Sequence, residues 1–337
     1  MSAVAILRQF IDILLFVLLA SVFFGLLLWV PPQRRGFFCG DESMMYPYNE
    51  IQTISIPTLA VIVFSASTII IFFVEIFRQM PQQRIGKKHA HAQQDDNNAS
   101  CHCGHRWRNI IVQYGNFLVG IIMTLIATEI PKRTIGRPRP FFFSICKPRL
   151  LDGTTCELER NQGIYIQEYT CDNDVSAYML KDMTMSFPSA HSAIAFFTMV
   201  YLSFYLQVAL STRGSKLLKH ILQFGLVMIA LFIAMSRIMD HRHHWSDVLG
   251  GITIGTLFAW LVARYIAKFF DDRSSTSSAS SLLAAKMLAH SSVASASAHS
   301  TAPGLPAYTF GSLPYLQHHG PNHAAYGQTY HNYGYVP

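Results

Sequence analysis

Six apolar runs, each about as long as a bilayer is thick, constrain this chain more than any other feature of it. They cover about residues 10–30, 54–74, 109–130, 193–210, 217–235 and 248–267. A helix needs about 20 such residues to cross the hydrocarbon layer. Residues 13–30 carry no charge at all. Charged residues make up 13% of the chain, against roughly 25% in an ordinary soluble domain. A soluble protein would have to bury all six runs in one small core, so the pattern predicts an all-α integral membrane protein with six transmembrane helices. The first run is too long for the roughly 7–15 residue apolar stretch of a secretory signal, and Pro31-Pro32-Gln33-Arg34 offers no small-residue cleavage site. It reads as a retained anchor.

Six spans put both termini on one side. The loop 78–108 carries Arg78, Arg84, Lys87, Lys88, Arg106 and Arg108, and Arg213, Lys216 and Lys219 follow the fourth span. The positive-inside rule places these in the cytoplasm. Loops 31–53, 131–187 and 236–247 then face outward or into a lumen. The loop 131–187 carries eight Lys and Arg of its own. It is long, and four of the eight cluster in the first candidate segment below, so the rule weighs less there. The outward loops hold Cys39, Cys146, Cys156 and Cys171. An even number in an oxidising compartment permits disulfides, and a pair among the last three is expected, with the connectivity open. Cys101-His102-Cys103-Gly104-His105 falls in the cytoplasmic loop; its spacing is too tight for a usual zinc finger, and it reads as a solvated loop. The sequon Asn98-Ala99-Ser100 is placed on the cytoplasmic side too.

Three short segments carry the chemistry. Lys132-Arg133-Thr134-Ile135-Gly136-Arg137-Pro138-Arg139-Pro140 follows the third span. Its Pro and Gly predict a wrapping segment rather than more helix. Arg forms paired hydrogen bonds to phosphate oxygens, and Lys acts as a point charge. A basic membrane edge is the bland alternative. Phe187-Pro188-Ser189-Ala190-His191 precedes the fourth span. A helix beginning near Ser189 offers unpaired N–H groups to an anion, and His191 stands where a general acid is needed. A Ser cap beside an incidental His is the competing reading. Ser236-Arg237 ends the fifth span, and His243 and Asp247 bracket the start of the sixth. At a spacing of four, Asp247 is expected to accept the Nδ1–H of His243 and leave Nε2 free to attack. Asp240, His241 and His244 crowd the same turn, so His244 as the nucleophile, or a metal site, stays open on spacing alone. All three segments share one face, because an even number of spans separates them.

The order and spacing resemble the type 2 phosphatidic acid phosphatase superfamily and most closely its lipid phosphate phosphatase branch. The family pattern is K-x6-R-P, P-S-G-H and S-R-x5-H-x3-D. Lys132, Arg139 and Pro140 fit the first part, Pro188, Ser189 and His191 the second, and Ser236, Arg237, His243 and Asp247 the third. Arg35-Gly36-Phe37-Phe38-Cys39, Asp41-Glu42-Ser43, Tyr46-Pro47-Tyr48 and His243-His244-Trp245-Ser246-Asp247 are also similar to the animal members. Ala190 departs, standing where the family usually has Gly. The resemblance covers about residues 5–270. It implies a PAP2/haloperoxidase-like helical core and a magnesium-independent phosphatase without cofactor or metal. The implied substrates are phosphatidate, lysophosphatidate, sphingosine 1-phosphate or ceramide 1-phosphate. It implies His243 as nucleophile, His191 as general acid and base, and Asp247 as the group orienting His243. Lys132, Arg139, Ser189, Ala190 and Arg237 then bind phosphate. A plasma-membrane location, an outward or lumenal site and homo-oligomers go with the resemblance.

The competing functions are a superfamily phosphatase for a soluble ester, a catalytically silent scaffold and a His-rich metal transporter. The +7 net charge lies along loops without aromatic interleaving, so phosphate groups and anionic lipid surfaces are the expected partners and nucleic acid is not. Residues 271–337 turn to Ser, Ala, Tyr, His, Gly and Pro and lack sustained apolar periodicity. They read as a disordered cytoplasmic tail beside a phosphatase domain over 1–270.

Overall fold

A computed structural model describes residues 3–78, 95–171, 175–209 and 216–269. The expected tail, the Arg84–Lys88 charges and Arg213 lie outside the described residues. Eight α-helices follow one another among those described: α1 (Ala3–Trp29), α2 (Ile56–Arg78), α3 (Asp95–Ile135), the short α4 (Phe142–Cys146) and α5 (Ala177–Asp182), α6 (Ala190–Ala209), α7 (Lys216–Met239) and α8 (Trp245–Leu261). A π-helical turn, Val262–Ile266, continues α8. Among the described residues, six segments are long and apolar enough to cross a membrane: Gln9–Trp29, Ile56–Ile76, Trp107–Ile135, Ala190–Ala209, Leu217–Met239 and Trp245–Ile266.

The third helix departs from the expectation at both ends. The backbone of 95–108 is helical where a solvated loop was expected, including Cys101–His105, whose side chains are not described. At the other end α3 runs through Pro131 to Ile135, so Lys132 lies on its last turn and not in a wrapping segment. Glu129 holds that turn together by pairing with Lys132 at 3.0 Å and Arg133 at 3.1 Å. Two basic residues near a helix C-terminus also suit its dipole. The chain turns only at Gly136, whose φ is +59°. A Cβ there would lie 2.0 Å from the Gln33 carbonyl oxygen, so glycine is required.

α6 is the centre of the bundle and packs against α2, α3, α7 and α8. Phe197, Tyr201, Leu202 and Tyr205 are buried along it. α8 approaches closest, because Gly251 and Gly255 bring its backbone against Ser189 and Ala193. The apolar window of α1 has no fully buried residues, and the helix packs on α3.

The connections after α1 and α3 fold over one end of the bundle. Strand β1 (Phe37–Phe38) pairs antiparallel with β3 (Tyr165–Ile166), and β2 (Arg149–Leu150) with β4 (Tyr169–Thr170). Disulfides join Cys39 to Cys156 and Cys146 to Cys171. The second is a pair within the expected three; the first ties the loop after α1 to the loop after α3. Phe37 packs on Phe142, Phe143 and Tyr169 in the small core of this cap.

Candidate active site

Beneath the cap, a cavity of about 300 Å³ opens between the ends of α2, α3, α6 and α7. Lys132, Arg139, His191, Arg237 and His243 all line it, so the three sequence segments meet. Ala190 lines it too, as the first residue of α6. The helical backbone explains why Ala is accepted there: no left-handed φ requires glycine.

The cations are held in place by the protein. Arg139 donates through Nε and Nη2 to the carbonyl oxygen and Oδ1 of Asp182, at 2.9 and 2.7 Å, and through Nη1 to the carbonyl of Arg242. Arg237 is almost fully buried and donates to the Ile54 carbonyl at 2.7 Å and to Gln52 Oε1 at 3.0 Å. Lys132 leans on Glu129. Arg242, which sequence reasoning passed over, also lines the cavity, with its guanidinium 4.5 Å above the Tyr48 ring. Four cations therefore face two lining carboxylates, Glu129 and Asp182. His191 Nε2, Arg237 Nε and Arg242 Nε are buried without a hydrogen-bond partner. Buried donors and acceptors are normally satisfied, and a phosphoryl group has the acceptors these cations need.

His243 is not oriented as the spacing predicts. Its Nδ1 lies 2.7 Å from the Ser186 carbonyl oxygen and 4.0 Å from Asp247 Oδ2. A carbonyl can only accept, so Nδ1 carries the proton and Nε2 is the free nitrogen. Asp247 does not accept from His243, because α8 starts at Trp245 and turns this carboxylate back onto its own N-terminus. There Asp247 accepts from the His244 N–H at 3.0 Å, His244 Nδ1 at 3.1 Å, the Ser186 hydroxyl at 2.5 Å and Arg137 Nη1 at 2.6 Å. Burial pushes the His243 imidazole well below its ordinary range, and Arg139, Arg237 and Lys132 push it the same way. Both effects favour the neutral ring.

Ser189 does not reach the cavity. It is fully buried, and its Oγ accepts from the Ser192 N–H and hydroxyl at 3.4 and 3.0 Å, which caps α6. Its own N–H donates to the Asp247 carbonyl. Two of the four clustered basic residues also point elsewhere: Arg133 to Val30 and Glu129, Arg137 to Asp247 and Ser246. His241 stacks on Tyr46, and His244 caps α8. Among the described residues, no group of three or more His, Cys, Asp or Glu is placed to hold a metal ion.

Sequence reasoning also missed Glu129, Asp182 and Ser186. The spacing of Glu129 to Lys132 and Arg133 is the one signal that was available.

Fold and site define a multi-pass membrane protein with a cation-lined phosphate-type cavity holding a neutral histidine. The model of the PAP2 superfamily matches residues 113–271. The chain is 40% identical over 253 residues to a putative phosphatidate phosphatase of Drosophila melanogaster, covering 71% of this chain and 63% of that protein. It is 33% identical to phospholipid phosphatase 2 of Mus musculus, over 76% of this chain and 85% of the relative. Against phospholipid phosphatase 1 of Rattus norvegicus the identity is 30%, over 71% and 77%. No solved structure matches. The chain belongs to the PAP2 superfamily.

Proposed function

We propose that the protein hydrolyses lipid phosphate monoesters such as phosphatidate, lysophosphatidate, sphingosine 1-phosphate or ceramide 1-phosphate, without magnesium. The observation that carries this reading is the wall of the cavity. Ile56, Leu59, Leu125 and Ile194 line it together with the four cations and two histidines. These apolar residues belong to membrane-spanning segments, so a lipid can keep its chains in the bilayer while its headgroup enters. The named relatives are phosphatidate and phospholipid phosphatases, which agrees.

In this mechanism Nε2 of His243 attacks phosphorus, and the phosphorus–oxygen ester bond breaks. His191 gives a proton to the departing alkoxide. Water then attacks the phosphohistidine, His191 takes a proton from it, and inorganic phosphate leaves. Lys132, Arg139, Arg237 and Arg242, with the first-turn N–H groups of α6 at Ala190 and His191, stabilise charge on the phosphoryl oxygens. Asp247 and Ser189 act behind the cavity, on the scaffold.

The cavity and both disulfides lie at the same end of the bundle, which supports an extracellular or lumenal site. Arg108 and Lys219, toward the opposite ends of their helices, support cytoplasmic termini.

The test is phosphate release from lysophosphatidate by the purified protein in detergent with excess EDTA, beside glucose 6-phosphate as a soluble ester. Wild type should act on the lipid and not on the sugar. His243→Ala should lose at least about a thousandfold in kcat, as removal of a nucleophile does. Activity retained in His243→Ala would remove the phosphohistidine, and preference for the sugar would remove the lipid.

A further inference from the structure

We propose that Ser186 is the positioning residue through which Asp247 and Arg137 hold His243 in its reactive tautomer. The inference rests on reading His243 as the nucleophile.

Ser186 is fully buried and is the point where the three segments join. Its N–H donates to the Arg137 carbonyl at 3.0 Å, its hydroxyl to Asp247 Oδ2 at 2.5 Å, and its carbonyl accepts from His243 Nδ1 at 2.7 Å. Arg137 Nη1 closes the loop by pairing with Asp247 Oδ1 at 2.6 Å. His244 Nδ1 and its N–H complete the shell around the same carboxylate. The carboxylate thus never touches the imidazole. It fixes the serine side chain, the serine backbone is fixed in turn, and its carbonyl admits only a protonated Nδ1. A carbonyl is a sufficient acceptor for a neutral imidazole. It lacks the negative charge that would draw a proton onto the ring and hold it charged. The Ser186 carbonyl therefore fixes the Nδ1–H tautomer without a direct hydrogen bond between Asp247 and the ring.

The experiment uses the full chain in detergent with 15N-labelled histidine. The His243 signal is assigned by its loss in His243→Asn. In wild type it should show the neutral Nδ1–H form at neutral pH. An Nε2–H or charged ring there overturns the proposal without any variant. In Ser186→Ala the Nε2–H tautomer should appear beside it. On lysophosphatidate, Ser186→Ala should lose about tenfold to a hundredfold in kcat with KM within about twofold, the scale for removing a group that orients an imidazole. In an Asp247→Ala background the same change should cost little more, because both residues act along one line. Losses that multiply, or a Ser186→Ala protein with wild-type tautomer and kcat, overturn it. An inactive wild type would sink the lipid phosphatase reading instead, while the tautomer still decides the role of Ser186.

Discussion

The imidazole of His243 sits among cations with no carboxylate in hydrogen-bond contact, and this has a measurable consequence. Its folded-state pKa is depressed by burial first and by Arg139, Arg237 and Lys132 next. In the unfolded chain the same group takes a proton near pH 6.5, roughly the ordinary value. As pH falls through that value the unfolded state gains a proton that the folded state refuses, so stability falls. The melting temperature in detergent should therefore drop between about pH 7.5 and about pH 5.5, and drop less in His243→Asn. Equal drops in both proteins would show an ordinary histidine. At this scale the motifs made Lys132, Arg139, His191, Arg237 and His243 legible. Ser186 was not legible, because it acts through its carbonyl, and any residue type has one. Asp247 was legible as a partner but not in what it partners: the expected pairing with His243 depended on where a helix begins.

Helix ends are where the elements depart from expectation, and helix contacts are where they are most sharply specified. Gly251 and Gly255 lie four apart on α8, the spacing that lets membrane helices approach closely. A Cβ on Gly255 would stand 2.2 Å from the Ala193 carbonyl oxygen, and one on Gly251 2.3 Å from that of Ser189. Those obstacles are backbone of α6 and its cap, so they cannot turn aside. Gly255→Ala should therefore destabilise the protein by about 1–3 kcal/mol. Gly225→Ala on α7, where nothing lies within 4 Å of the added Cβ, should not. Thermal melting of both variants checks this, and an unaffected Gly255→Ala would mean that α8 sits farther from α6. The cost should extend to activity, since His243 and Asp247 flank the start of α8 while Ala190 and His191 begin α6. The apolar runs announced six spans in advance, whereas Gly251 and Gly255 were visible but not read as a contact. The reach of α3 through Pro131 was hidden, because Pro argues locally for a break and Glu129 supplies the compensation.

For the molecule as a whole, the remaining question is which way the bundle faces. Connectivity of the cysteines could not be read from spacing, since Cys39 finds Cys156 across 117 residues that include α2 and α3. The two disulfides lie in the cap over the cavity, and the proposal that this cap faces the oxidising side rests on them. Gly153 allows a direct test. It sits in the turn after β2 with φ +78°, and nothing lies within 4 Å of an added Cβ. Asn tolerates this left-handed backbone better than most residues, and Gly153→Asn creates the sequon 153–155 ahead of Thr154 and Thr155. In cells that glycosylate membrane proteins, this variant should gain an endoglycosidase-sensitive glycan and keep its phosphatase activity, because the turn is remote from the cavity-lining residues. The wild type, whose only sequon is at Asn98, should carry none. A glycan on Asn98 in wild type, and none in Gly153→Asn beyond it, would invert the bundle. It would also put the two disulfides in the reducing compartment, where paired thiols do not persist.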